Sequence, residues 1–314
     1  MTTDGPAPSP AAPGAEVPSL RRVVAAAGDL LADAGVPSPH HDAAALAAFV
    51  LGVRRFEPAL ASAEPEGFRA RYAEVVERRR RREPLQHIVG ETGFRHLTLT
   101  VEPGVFVPRP ETEGVAQRAV DEAAALARSG RTPLVVDLCC GAGGIAVSVA
   151  LEVPSSRVVA VDLSARAVDL TGRNAARAGV RLERLVEADA TADDVLAELD
   201  GTVDVVVTNP PYIPPDAVPV DPEVRDHDPD LALYGGGPDG LEVPRGVVRT
   251  AVRLLRPGGL LVMEHAEVQA ATVRALALAT GDLVDVTTAT DLGGRDRMLA
   301  ARRGERVIVR DSPS

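Results

Sequence analysis

The chain has 314 residues, 45% of them hydrophobic and 25% charged. This profile suits a soluble globular protein of one large or two modest domains and excludes a disordered chain. A formal net charge of −11 argues against a protein that tracks duplex phosphates, which needs a basic surface.

Aromatics make up only 3% and Trp is absent, so the core must rest on Val, Leu, Ile and Ala; every cationic side chain is Arg. The Pro- and Ala-rich residues 1–18 carry only Asp4 and Glu16 as charges and read as a disordered tail without the basic start and apolar run of a signal peptide. Residues 19–83 read as a helical domain. Leu20, Val23, Val24, Ala27, Leu30 and Leu31 fall at helical spacing, and Gly35-Val36-Pro37-Ser38-Pro39 breaks the pattern. A second helix is expected across Ala43–Leu51 and a third across Gly67–Arg82, which ends in the basic run Arg78–Arg82. That run reads as a solvated helix end favoured by the dipole, or as a contact for a nucleic acid or an acidic partner.

Residues 84–112 read as a β-hairpin connector, with strand-like alternation around His96–Val101. Its exit, Val107-Pro108-Arg109-Pro110-Glu111-Thr112-Glu113, is stiff, and Glu111 or Thr112 starts a helix to about Arg128. From residue 113 to 304 strands and helices alternate: Leu134–Leu138, Ile145–Glu152, Val158–Asp162, Ala165–Ala178, Leu182–Glu187, Val203–Thr208, and Leu260–Glu264 after a Pro257-Gly258-Gly259 turn. Such alternation predicts a doubly wound α/β domain with a parallel sheet. Residues 305–314 read as a second tail. The adjacent Cys139 and Cys140 are poorly placed to bridge, and no Cys/His cluster completes a metal site, so a reducing, cytoplasmic setting without a metal is expected. The longest uncharged stretch, Leu138–Leu151, is too short and Gly-rich to span a bilayer.

Two loops carry the chemistry. After the strand Leu134–Leu138 comes Cys139-Cys140-Gly141-Ala142-Gly143-Gly144 and then a helix, a loop in which glycines let backbone approach a ligand at a helix N-terminus. Gly141, Gly143 and Ala146 satisfy a dinucleotide-type pattern that does not by itself separate a nicotinamide cofactor from S-adenosylmethionine. Asp162, ending the next strand, is placed to accept ribose hydroxyls, with the helix N-cap falling to Ser164; Asp189 lies where an adenine edge is read. Asp137 orders the Gly loop or faces the cofactor's amino group. The second loop is Asn209-Pro210-Pro211-Tyr212, directly after the apolar run Val203–Thr208. The stiff prolines hold two acceptors, the Asn209 side-chain oxygen and the Pro210 carbonyl, beside the stacking face of Tyr212. That set suits a planar, uncharged nitrogen. It contains no base and no nucleophile, so a hydride-transfer enzyme fits poorly. Methyl transfer by positioning and electrostatics fits well.

Taken together, these segments resemble the peptide chain release factor glutamine methyltransferases over residues 20–303. The resemblance runs through Glu83-Pro84-Leu85-Gln86-His87-Ile88-Val89-Gly90, the Val107–Glu113 segment, the Gly loop and Asn209–Tyr212. It continues through Arg225-Asp226-His227-Asp228-Pro229-Asp230-Leu231-Ala232-Leu233 and Asp239-Gly240-Leu241. It implies a small helical recognition domain joined to a class I S-adenosylmethionine-dependent methyltransferase domain, acting on the glutamine of the Gly-Gly-Gln loop of release factors. It further implies that Cys139, Cys140, Gly141, Ala142, Gly143, Asp162 and Ala190 line the S-adenosylmethionine pocket. Asn209, Pro210, Pro211 and Tyr212 would hold the glutamine, with Asn209 also near the methyl; Phe106 flanks the site and Arg109 braces the loop. The two cysteines depart from the Gly or Thr usual at these loop positions. Two alternatives stand beside this reading: an adenine-N6 DNA methyltransferase, which also uses a Pro-Pro-Tyr site but needs a basic target-reading domain, and a non-catalytic S-adenosylmethionine-binding scaffold.

Overall fold

A computed structural model of the protein describes residues 18–57, 64–291 and 293–305. The tails expected at residues 1–18 and 305–314 lie outside the described residues except for Pro18 and Glu305. The chain divides into two compact units, residues 1–88 and 89–314.

The first unit packs α1 (Leu20–Asp33), α2 (Pro39–Leu51) and α3 (Phe68–Arg80), with α4 (Leu85–Val89) at the division between the units. Pro39 enters α2 in its first turn, where a missing N–H costs nothing, and Gly52 ends the helix in the left-handed region. Leu31, Leu46 and Phe68 are fully buried, whereas Leu30, counted in sequence on the apolar face of α1, is 45% exposed. Phe68 stacks on Tyr72, and the Tyr72 hydroxyl donates to the Ala43 carbonyl at 2.9 Å. Arg79 is buried and paired with buried Asp42 at 2.8 Å. Its neighbours are matched too: Arg78 pairs with Glu83, and Arg80 and Arg81 both pair with Glu77. Charges neutralised within their own unit present little net field to a phosphate backbone, which favours the solvated-helix-end reading of the run.

The second unit opens with an antiparallel hairpin, β1 (Glu91–Phe94) and β2 (Leu97–Thr100), turning at Arg95 and His96. Then follow α5 (Thr112–Arg128), β3 (Leu134–Leu138), α6 (Gly144–Glu152), β4 (Arg157–Asp162), α7 (Ala165–Arg177), β5 (Arg184–Glu187) and β6 (Val203–Thr208). The chain continues through α8 (Pro222–His227), α9 (Asp230–Leu233), α10 (Glu242–Leu254), β7 (Leu255–Glu264), α11 (Ala270–Ala279), β8 (Leu283–Thr290) and β9 (Asp296–Arg303). The seven-stranded sheet has the order β5-β4-β3-β6-β7-β9-β8. Its first five strands are parallel; β9 runs antiparallel to both β7 and β8, so the sheet is mixed rather than wholly parallel.

Alternation along β3 shows how the sheet is covered. Val135 joins a core with α5 and α6, while Leu134, Val136 and Leu138 join another with α10 and α11. Every residue of β3 and β6 is buried, as expected of central strands covered on both faces. The one charge in β6, Asp204, accepts from the Leu134 backbone N–H at 2.9 Å and pairs with Arg131 and Arg256, which ties the start of β6 to β3. Pro257-Gly258-Gly259 does not precede β7 but lies inside it. Val203 pairs with Leu255 and Val205 with Leu260, so the intervening residues are accommodated as a bulge.

The order reverses between β3 and β6. Loops leaving those two neighbours diverge to opposite faces, opening a crevice at their carboxyl ends where open α/β sheets bind ligands. The Gly loop leaves β3 and Asn209–Tyr212 leaves β6.

Candidate active site

The Gly loop is tightly wound. Cys139, Gly141 and Gly143 all have positive φ, at 66°, 56° and 86°. Gly143 has no room for a side chain, since a Cβ there would stand 2.9 Å from the Thr171 side chain. At Cys139 a non-glycine residue holds the left-handed region, a strain of order 1–3 kcal/mol. The two thiols leave the loop toward opposite faces of the sheet: Cys140 belongs to the α5/α6 core and Cys139 packs against the α10/α11 core. Both are free, and burial pushes both thiols well above the usual range.

Three carboxylates frame the loop. Asp137 is fully buried; one oxygen accepts from the Ala146 backbone N–H at 3.0 Å, bracing the first turn of α6, and the other has no partner. Burial raises its pKa well above the ordinary value, against the pull of that N–H. Asp162 accepts from the Gly141 N–H at 2.8 Å on one oxygen and from the Ser164 N–H at 2.9 Å on the other. Each oxygen therefore retains a lone pair for a ligand. Burial raises Asp162 as well. Ser164 caps α7 by accepting from Ala167 N–H. Asp189 commits one oxygen to the Thr191 N–H and hydroxyl, at 2.8 and 2.7 Å.

On the β6 side, the Asn209 amide donates to the Thr112 hydroxyl at 3.2 Å, and the Tyr212 hydroxyl donates to buried Glu264 at 3.4 Å. Burial keeps Tyr212 protonated far above its usual range. The loop backbone is held from behind. Gln269 donates to the carbonyls of Tyr212 and Asp239, at 2.8 and 3.1 Å. Gly240, at φ 72°, approaches so closely that a Cβ would stand 2.4 Å from the Tyr212 carbonyl oxygen. Arg109 ion-pairs with Asp228, whose other oxygen accepts from Val107 N–H, and its guanidinium lies 5.2 Å over the Phe106 ring. These contacts tie the segment before α5 to the segment joining α8 and α9.

Both loops open on one cavity of about 380 Å³. Phe106, Arg109, Cys139, Cys140, Gly141, Ala142, Asp162, Asp189, Ala190, Asn209, Pro211 and Tyr212 all line it; Gly143 and Pro210 do not.

Comparison with known proteins follows the same division. Residues 22–90 match the PrmC N-terminal domain family, and residues 98–220 match the methyltransferase small domain family. A release factor glutamine methyltransferase from Streptomyces coelicolor is 50% identical over 281 residues, 89% of this chain and 96% of that protein. Another from Bifidobacterium longum is 45% identical over 291 residues, 89% of this chain and 98% of that protein. This chain belongs to the release factor glutamine methyltransferase family. A 4-amino-L-phenylalanine/4-methylamino-L-phenylalanine methyltransferase from Streptomyces pristinaespiralis is 49% identical over 212 residues, 67% of this chain and 70% of that protein.

This family member has further cavity residues to which the sequence assigns no part in the site. Thr112 supports Asn209, Leu163 follows Asp162 with 52% of its surface exposed, and Leu231, Ala232 and Leu233 come from α9. Position in the chain gave one usable signal, because Leu163 directly follows Asp162 at the end of β4. Thr112 gave none, since its role depends on the packing of α5 against β6, whereas Glu264 carries the same strand-end signal as Asp162 at the close of Leu260–Glu264. Among the described residues, no cluster of His, Cys, Asp or Glu is placed to hold a metal, and no helix is long and apolar enough to cross a membrane.

Proposed function

We propose that the protein transfers a methyl group from S-adenosylmethionine to the side-chain amide nitrogen of the glutamine in the Gly-Gly-Gln loop of peptide chain release factors. The observation that carries this reading is the meeting of the Gly loop and Asn209–Tyr212 in a single cavity at the β3/β6 reversal. The residues there suit the cofactor. Asp162 keeps unspent lone pairs for two ribose hydroxyls, Asp189 keeps one oxygen for an adenine edge, and the glycines admit the rest of the molecule at close range.

S-adenosylmethionine supplies an electrophilic methyl on a sulfonium. The chain's own residues then have to hold a glutamine amide in line with it. An amide nitrogen is a poor nucleophile because its lone pair is delocalised. The Asn209 oxygen, on the cavity wall, grips one N–H group and turns that lone pair toward the methyl, while Tyr212 and Phe106 confine the amide plane. The nitrogen–carbon bond forms as the carbon–sulfur bond breaks, and the surplus proton leaves the nitrogen afterwards to solvent. No strong base is needed at the site, and the work is orientation and electrostatic support.

A net charge of −11 and the internally paired Arg78–Arg81 run weigh against adenine in DNA as the acceptor. An arylamine such as 4-amino-L-phenylalanine presents the same planar, conjugated nitrogen and is the informative control. Incubation with labelled S-adenosylmethionine should place label on an intact release factor, and little on duplex DNA or 4-amino-L-phenylalanine. Label on either of these in preference to the release factor would reject the reading.

The helical unit is proposed to choose the target. A Gly-Gly-Gln loop offers few side chains to recognise, so binding energy must come from contacts remote from the reacting amide. A fragment beginning at Pro84 should bind S-adenosylmethionine yet methylate a whole release factor far more slowly than the full chain. On a short Gly-Gly-Gln peptide the two should be similarly slow. Equal rates on the intact release factor would remove the helical unit from recognition.

A further inference from the structure

Behind Asn209–Tyr212, outside the cavity lining, lies a buried carboxylate that the proposed reaction does not use. Glu264 ends β7, the strand beside β6, and is 3% exposed. One oxygen accepts from the Tyr212 hydroxyl at 3.4 Å and the other has no hydrogen-bond partner. The Thr112 hydroxyl, Arg297 on β9 and Glu111 just ahead of α5 also act on it. Thr112 in turn accepts from the Asn209 amide at 3.2 Å. We propose that Glu264 is a positioning residue for methyl transfer, fixing the orientation of the Asn209 amide through Thr112 and seating the Tyr212 hydroxyl.

Proton direction sets which way the Asn209 amide faces. A threonine hydroxyl has a single hydrogen to give. When Glu264 is ionised, its charge draws the Thr112 hydrogen toward it and leaves a Thr112 lone pair for Asn209. The Asn209 NH₂ then turns toward Thr112, and its oxygen faces the cavity as the acceptor that a substrate N–H requires. When Glu264 is protonated, that pull is gone and Thr112 can donate to Asn209 instead. The amide can then flip and present N–H groups to N–H groups. Burial pushes Glu264 up to about 7, against the pull of Thr112, Arg297 and Tyr212, so the switch between these arrangements falls near neutrality.

This inference rests on the proposed glutamine methylation, and the experiment separates the two. Full-length protein, Glu264→Gln, Thr112→Val and the double variant are compared for kcat, KM, S-adenosylmethionine affinity and thermal stability from pH 6 to 9. If the wild type leaves the release factor unmethylated, the functional reading fails first. If it is active, its turnover should fall as pH drops through about 7. Glu264→Gln should lower kcat by roughly 10–100-fold, the scale of a small misplacement of reacting groups, and should lose that acid limb. Cofactor affinity should hold. Thr112→Val should give a similar loss, and the double variant little more, because the two residues act in one chain. Stability distinguishes positioning from scaffolding. A carboxyl whose folded pKa is raised stabilises the fold only at acid pH and loses that contribution as pH rises through the folded value. Glu264→Gln should therefore be at least as stable as wild type at pH 8. Wild-type kcat in Glu264→Gln, an acid limb that persists in it, or additive losses in the double variant would overturn the inference.

Discussion

Asn209→Ala is expected to lower turnover on a release factor by roughly 10²–10³-fold, the usual loss when one preorganised polar contact to a reacting group is removed. Cofactor affinity should change far less. The structure isolates the effect well. Asn209 is half-buried on the cavity wall, and its amide donates to Thr112 at 3.2 Å. The loop itself is held by other means, through Gln269 on the Tyr212 carbonyl and the close approach of Gly240. Truncating Asn209 should thus remove an acceptor without moving the loop. Single-turnover methylation is the measurement to make. A variant within a fewfold of wild type would show that Asn209 has only a structural part.

Asp162→Ala should weaken S-adenosylmethionine binding by roughly 1.5–3 kcal/mol, the worth of hydrogen bonds to a charged group. That corresponds to about a 10–150-fold rise in Kd. Part of the loss would come from the loop, because Asp162 also accepts from the Gly141 and Ser164 N–H groups. Asp162→Asn keeps the shape and one acceptor, so it should fall between wild type and Asp162→Ala. Folding should suffer little at neutral pH. Burial already raises the Asp162 pKa, so its ionised form is held at a cost that either variant removes. Calorimetry decides the matter. Unchanged affinity in Asp162→Ala would take Asp162 off the ribose, and tight binding of NAD with none of S-adenosylmethionine would reject the cofactor altogether.

Much of the fold is legible in the chain because its central strands are buried on both faces. Val203–Thr208 coincides with β6, and Leu134–Leu138 with β3. The outer strands are hidden for a physical reason. β8 alternates weakly and exposes most of its residues, while β9 reads Asp-Arg at one end and Arg-Arg at the other. Those terminal arginines are neutralised by distant partners, Arg302 by Glu122 and Arg303 by Asp282. No local pattern announces such pairs, and so the two antiparallel strands go unread. Helix α10 is a different case. Val247, Val248, Ala251 and Leu254 recur at helical spacing and are buried, yet the strand-by-strand reading passes over them. The Gly-Pro-rich bulge in β7 misleads in the opposite way, since turn-forming residues are accommodated within a strand when the partner strand shifts register.

The candidate site divides along similar lines. Residues at strand ends are legible, because the period of the strand and the residue that stops it fix where Asp162 and Asn209 must lie. Their supports are not. Asp228 reaches Arg109 across more than a hundred residues, and Glu264 meets Tyr212 only because β7 lies beside β6.

Glutamine methylation is tested most directly by site-resolved mass spectrometry of a release factor after incubation with the full-length protein and S-adenosylmethionine. One added methyl group is expected on the glutamine of the Gly-Gly-Gln loop, dependent on Asn209. A methyl group on another residue, or an unmodified glutamine under conditions where the protein binds S-adenosylmethionine, would contradict it.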